Sequence, residues 1–474
     1  MPKVNIFGYR EELSRSMSGF SSFAVSFSLI SVLTGLFANF NFGYQQAGGA
    51  IVWTWLLVAC GQFLVALVMA NLSIQYPIAG YGYQWAARLT RTDFGYFVGW
   101  LLLIQFITGF PGICQTFTAT LMGLAGVTGN NDWIVAGTIV VISLVALIHW
   151  LGIRFASKVN DAGVFAELAG VMFLIFILAA VWILNSDRHL EKITFIEQAS
   201  KGFPLPFSSL ALSMLLGAWC LTGFEAAADL AEETRSPVTS VPRAVMMSQV
   251  TSALSGLLII ILLILHAGAV QGQQGNLLLN ILQQTLGAKM TLVVILFILI
   301  SIFACAVASM ATMSRLLFSM SRDRILPYSS WIARVDAGSQ SPRQAIILIW
   351  GLSIGIILLF RKIEVVTNVS ALATYIGYAG IMLAALMGKR APDISPYLYA
   401  RRWERPIQWI AFIWTLVVVA ALSFPETVIE GYETKHLPAI ATGIACFLGV
   451  LLYFFYVRGK IRSGSAGPPR LPTV

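Results

Sequence analysis

Apolar runs separated by short polar stretches repeat from one end of the chain to the other. Runs near twenty residues match the roughly 30 Å hydrocarbon layer that a helix must cross at about 1.5 Å per residue. The pattern therefore predicts many spanning helices rather than one soluble core. Twelve spans are expected, near 18–43, 50–75, 94–124, 132–152, 160–184, 207–231, 244–270, 289–319, 344–360, 365–388, 407–424 and 437–457. Some are longer than a crossing needs, which predicts tilts or breaks. No linker is long enough to set off a soluble domain.

Two spans carry polar groups where hydrocarbon is expected. The first, SSFAVSFSLISVLTGLFANFNFGY, holds Leu33-Thr34-Gly35-Leu36 near its middle. The sixth holds Leu221-Thr222-Gly223-Phe224. Five spans separate them, so they cross in opposite directions, as an inverted repeat of five helices plus five would require. Thr and Gly at mid-span allow a helix to break, and the freed backbone groups survive there only if they line a site. Small-residue helix packing is the other reading of these positions. After the sixth span's polar patch come Glu225, Asp229, Glu232 and Glu233, spaced to share one helix face.

Composition agrees with the pattern. The chain has 474 residues, 58% hydrophobic and 11% charged, against about 25% charged in soluble proteins. In a soluble protein the net charge of +9 would suggest nucleic acid. Here it points to orientation. With both termini on one side, 23 of the 30 lysines and arginines fall on that side, which predicts that both termini are cytoplasmic. The polar N-terminus, MPKVNIFGYREELSRSM, shows no adjacent cleavage pattern, so no removable signal peptide is expected. Cys60, Cys114, Cys220, Cys305 and Cys446 all lie in apolar runs without metal-ligand spacing. Neither a metal nor a cofactor is expected. The four histidines are scattered singly, and no HExxH, GxSxG or phosphate-cradling GxxxxGK[ST] motif is present, so an enzyme is disfavoured.

Further along the chain, Pro77, Gly80 and Gly82 end or bend the second span. Tyr76, Tyr81, Tyr83 and Trp85 suit a membrane interface. Glu167 lies about seven positions inside the fifth span, roughly 10 Å deep. A carboxyl at that depth is costly and faces a cavity or a partner. Ser309 and Thr312 fall near the end of the eighth span. The closing RSGSAGPPRLPTV has the composition of a disordered tail.

Three stretches together resemble the amino acid–polyamine–organocation permeases: YPIAGYGYQWAARL, GFEAAADLAEETRSPVTSVPRA and SRLLFSMSRDRILP. The resemblance runs over about spans 1 to 10. GGAIVWTW and the stretch near Thr34 look closest to the branch of amino acid, GABA and choline permeases. It implies an all-α membrane protein with the leucine-transporter-type fold. Residues 18–184 and 207–388 would be the two repeats, 407–457 two accessory helices, and 1–17 and 458–474 cytoplasmic tails. It further implies a substrate site between the broken first and sixth helices, where N-terminal N–H groups attract anions and C-terminal carbonyls attract cations. Trp219 falls where an aromatic residue closes over substrate in the arginine/agmatine exchangers. There are two departures. Leu33-Thr34-Gly35 stands where many members have Gly-Ser-Gly, and Asn71 where many have Glu. Some proton-coupled relatives have Lys at the position of Glu167.

The expected substrate-site residues are Ser31, Thr34, Gly35, Trp219, Thr222 and Gly223, with Glu167, Glu225 and Asp229 in coupling or gating. Asp229, Glu232 and Glu233 are expected to pair with loop arginines such as Arg235 and Arg243. The expected function is secondary active transport of a small amino acid or amine-bearing solute (amino acid, GABA, polyamine or choline-like), coupled to protons through Glu167, in a plasma membrane. Alternatives are a sodium-coupled symporter using Ser309 and Thr312, a substrate exchanger, a channel, and a nutrient sensor on the same scaffold.

Overall fold

The computed structural model describes residues 7–10, 12–127, 131–184, 207–267, 277–336, 338, 340–360, 363–388, 398–423 and 437–469. Within them the chain is helical and contains no strand; one isolated backbone bridge joins Met17 to Thr234. Nine helical stretches among the described residues are long and apolar enough to cross a membrane, and Ser209–Cys220 and Arg343–Leu359 are shorter apolar helices. The chain is a multi-pass integral membrane protein. Several predicted loops, and the basic residues in them, lie outside the described residues.

The first predicted span is two helices, α1 (Gly19–Ile30) and α2 (Val32–Ala47). Ser31 joins them in the left-handed region at φ 36°, a conformation that strains any residue with a Cβ. Its hydroxyl caps α2 by accepting from the Thr34 N–H at 3.4 Å. There follow α3 (Ile51–Gln75), α4 (Tyr81–Leu89), α5 (Thr92–Leu124), α6 (Asn131–Trp150) and α7 (Ile153–Leu184). The sixth predicted span is also broken. Helix α8 (Phe207–Cys220) stops at Cys220, and one short turn, α9 (Ala226–Asp229), resumes beyond it. Then come α10 (Pro237–Ala267), α11 (Leu277–Arg322), α12 (Ser329–Ile332), α13 (Arg343–Leu359), α14 (Ile363–Met387), α15 (Glu404–Ser423), α16 (Leu437–Leu452) and α17 (Arg458–Arg462). Gly287, at φ 74°, kinks α11 near its start.

The helices pack in matched pairs. Helix α2 lies on α8, α3 on α10, α5 on α11, and α6 on α13. Helix α5 also packs on α14, and α7 on α11. Likewise α6 meets α11 and α5 meets α13; α1 meets α10 and α3 meets α8; α1 meets α7 and α8 meets α14.

Three expectations are corrected. Tyr81, Tyr83 and Trp85 do not face the membrane interface; all are 0% exposed, because α4 is wrapped by α5, α11 and α14. The C-terminal stretch is ordered over its described residues, which run to 469, and residues 470–474 lie outside the described residues. The Gly467 N–H donates to the Asp323 carbonyl at 2.8 Å, and the Arg88 guanidinium donates to the Pro469 carbonyl at 3.5 Å. Finally, Glu225, Asp229, Glu232 and Glu233 do not share one helix face. The short α9 and the tighter turn Ala231–Glu233 rotate them toward different partners.

Candidate functional site

The two helix breaks press against each other. Gly223 adopts φ +107°, and a Cβ there would come within 2.8 Å of Leu29 Cγ and 3.0 Å of the Leu29 carbonyl carbon. Only glycine combines that backbone with that approach. Beside the contact is a cavity of about 40 Å³. Thr34, Trp219, Thr222 and Gly223 line it, with Gln105, Phe106 and Gly109 of α5, Cys305 and Ser309 of α11, and Ser370 of α14. A space of that size holds a few waters.

The broken helices release backbone groups, and side chains from other helices satisfy several of them. Gln62 Nε2 of α3 donates to the Leu221 carbonyl at 3.0 Å. Ser26 Oγ donates to the Phe224 carbonyl at 2.7 Å and accepts from the Ala227 N–H at 2.9 Å. The Gly223 N–H donates to Glu225 Oε2 at 3.1 Å, and the Thr222 hydroxyl donates to the Trp219 carbonyl at 2.7 Å. An unpaired backbone group in hydrocarbon costs several kcal/mol. These bonds are what allow the break to persist.

Of the expected substrate residues, Thr34, Trp219, Thr222 and Gly223 line the cavity, whereas Ser31 and Gly35 are absent from its lining. Gly35 lets α2 close on α8: a Cβ there would lie 2.4 Å from Cys220 Sγ and 3.2 Å from Cys220 Cα. The Ser31 hydroxyl lies 2.6 Å from that of Thr34 and 3.0 Å from that of Ser301 on α11. Glu167 of α7 meets this hydroxyl group, facing Ser31 and Ser301. Glu167 is 0% exposed, and neither carboxyl oxygen completes a hydrogen bond of normal geometry. Glu225 is equally buried. Its Oε1 lies 3.5 Å from Gln105 Nε2, at the long end of hydrogen bonding. Ser309 is in the cavity wall, whereas the Thr312 hydroxyl is turned back to the Ala308 carbonyl of its own helix at 3.1 Å.

Sequence reasoning passed over Gln62, Gln105 and Ser301. Each is a polar residue inside an apolar run, and the cost of burying it is itself a signal of a partner or a site.

On the side of the termini lies a layer of buried carboxylates, each held by a backbone N–H or an arginine. The Asp229 carboxylate accepts from the Gly80 N–H at 2.7 Å. Glu232 accepts from the Ala79 N–H at 3.1 Å and pairs with Arg322 at 2.9 Å. Glu233 pairs with Arg315 at 2.6 Å. The expected partners Arg235 and Arg243 are exposed, and these two acids are taken instead by arginines of α11. Below this layer the N-terminal segment docks. Tyr9 Oη donates to Asp323 at 2.8 Å, alongside Tyr83 Oη at 2.6 Å and Gln84 Nε2 at 2.9 Å. The Arg322 guanidinium lies 3.7 Å over the Tyr9 ring. Burial raises the Asp323 carboxyl above the usual carboxylate range, against the lowering effect of Arg322 and the three donors. At the opposite end of the broken helices a wider cavity of about 310 Å³ is lined by residues including Phe37, Asn41, Thr116, Thr120 and Ile363.

A family model described as amino acid permease matches residues 17–452. The amino-acid permease BAT1 of Arabidopsis thaliana is 24% identical over 95% of this chain and 93% of its own length. An uncharacterized amino-acid permease of Schizosaccharomyces pombe is 24% identical over 88% of this chain and 78% of its own. The thiamine transporter thi9 of the same yeast is 26% identical over 72% of this chain and 66% of its own.

Proposed function

We propose that this chain, which belongs to the amino acid permease family, moves a small amino acid or amine-bearing solute across the plasma membrane by alternating access coupled to protons. That it is a transporter follows from the family. The single observation that carries the finer reading is the contact between the two breaks, with a cavity of mixed polar and apolar lining beside it. A break supplies both ends of a helix dipole at membrane depth, N–H groups for a carboxylate and carbonyls for an amine. The substrate site comprises Thr34, Trp219, Thr222 and Gly223, with Ser31 and Gly35 shaping the break.

The architecture we infer is a twelve-helix 5+5 inverted repeat. Its support is the packing. Exchanging α1/α2 with α8/α9, α3 with α10, α5 with α11, α6 with α13 and α7 with α14 turns the α5–α14 contact into α11–α7. The same exchange turns α6–α11 into α13–α5, and α1–α10 into α8–α3. The count of twelve is reached if Gly19–Gln75 crosses twice and the two shorter apolar helices each cross once. The excess of basic residues on the side of the termini supports a cytoplasmic location for both.

In this reading Glu167 carries the coupling proton, and the Ser31–Thr34–Ser301 hydroxyls relay its state to the break. Glu225 and Asp229 belong to the gate. The layer of buried ion pairs closes the terminus side, and the wider cavity opens to the other, an outward-facing arrangement. Sodium coupling is the second reading, favoured by the position of Ser309 in the cavity wall. The test is uptake by proteoliposomes of radiolabelled glycine, L-alanine, GABA, putrescine, choline and thiamine, under a proton gradient without sodium and under a sodium gradient without pH difference. Proton-driven accumulation of an amine-bearing solute is expected. Accumulation only with sodium selects the second reading, and binding without flux selects a sensor.

A further inference from the structure

The acceptors around the cavity are unequally engaged. At the α8 break, the Leu221 and Phe224 carbonyls already accept from Gln62 and Ser26, and the Trp219 carbonyl already accepts from Thr222. Gln105 differs. It lines the cavity and is 6% exposed, yet its Oε1 has no hydrogen-bond partner. An unpaired amide oxygen in such surroundings costs about 1–3 kcal/mol, a cost that an incoming N–H would remove.

The amide is also oriented. Glu225 Oε1 faces Gln105 Nε2 at 3.5 Å, and Ser370 Oγ holds the Gln105 backbone carbonyl at 2.9 Å. Were the amide reversed, its oxygen would confront the Glu225 carboxyl oxygen, acceptor against acceptor. With the nitrogen turned to Glu225, the oxygen is the unpaired group of a residue that lines the cavity.

We infer that Gln105 is a specificity-determining residue whose Oε1 accepts a hydrogen bond from an N–H of the transported solute, selecting primary amines over quaternary ones. This rests on the amine-solute reading above. The physical basis is asymmetric. A site built to receive an N–H rejects an analogue that lacks it far more strongly than an apolar site rejects extra bulk, because the acceptor is then left unpaired. A trimethylammonium group keeps the positive charge but offers no N–H.

The experiment measures binding to the purified full-length protein in nanodiscs, by calorimetry, of glycine, L-alanine and GABA and of their N-trimethyl forms. Wild type is expected to prefer the N–H forms by about tenfold or more. Gln105→Leu should lose that preference while still binding the trimethyl forms. Gln105→Glu, which keeps an acceptor, should retain it. Unliganded melting temperatures establish that each variant folds, and Gln105→Met replaces the leucine variant if that one does not. If wild type binds the amines and the folded variant keeps an unchanged preference, the role of Gln105 is overturned while the transport reading stands. If wild type binds none of the six, the reading of the solute as an amino acid fails and takes this inference with it.

Discussion

Arg315 Nε lies 2.6 Å from Glu233 Oε1, and neither side chain reaches solvent. The pair joins α11 to the segment after α9 at the terminus end of the broken helices. Removing one member leaves the other charged, buried and unpaired, which typically costs about 3–5 kcal/mol. Glu233→Met and Arg315→Met should each lower the melting temperature of the purified protein sharply, and the double variant should melt above either single one. Equal melting of all three would show that the pair does not act as a unit.

Gly223→Ala tests the contact between the breaks. Alanine at φ +107° is strained by about 1–2 kcal/mol, and its Cβ would collide with Leu29. Uptake should fall by at least tenfold. At Gly35 the obstacle is space alone, so Gly35→Ala should be partly rescued by Cys220→Gly, which removes the Sγ and Cβ that the new methyl meets and leaves only the tighter contact with the Cα at 3.2 Å. Failure of that rescue would point to a role for Gly35 beyond packing.

Glu167→Gln keeps the shape of the side chain and removes its charge. If Glu167 carries the coupling proton, the variant should still exchange internal for external solute but should not concentrate it against a gradient. Its rate should also no longer vary with pH. Uptake and counterflow in the same vesicles separate the two activities, and concentrative uptake with unchanged pH dependence would remove Glu167 from the mechanism.

The stability of the fold should depend on pH through Asp323, which lies beyond the end of α11 with Tyr9, Tyr83, Gln84 and Arg322 around it. Burial raises this carboxyl in the folded state, so the folded protein holds its proton more tightly than the unfolded chain. The stabilisation is therefore complete below the ordinary Asp value of about 3.9 and is lost as pH rises through the higher folded-state value. The melting temperature of the purified protein should fall as pH increases from acid through that range. Asp323→Asn should flatten that trend; an unchanged slope would assign the effect to another group.

Much of the fold was legible because its signals are local. Each apolar run is long enough to be read alone, and Thr34-Gly35 and Thr222-Gly223 mark interruption by residue type. The break itself falls at Ser31, three residues before Thr34, because the serine can cap the second half-helix through its own hydroxyl. The acids after Glu225 were misread for a related reason. Helical spacing predicts a shared face only if the helix continues, and here it stops at Asp229.

The sequence by itself determined the class of molecule, its order of apolar segments, the two spans in which helices part and the motifs that place it among amino acid permeases. Hydropathy, helix-breaking residues and motif spacing are properties of neighbours along the chain. Tertiary structure alone decided that Glu167 faces Ser31 and Ser301, that Glu232 and Glu233 pair with Arg322 and Arg315 rather than with nearby arginines, and that Gln105 reaches the cavity. Those partners lie on helices far apart in sequence, and which side chains meet depends on how the helices rotate and cross. No short-range pattern encodes that.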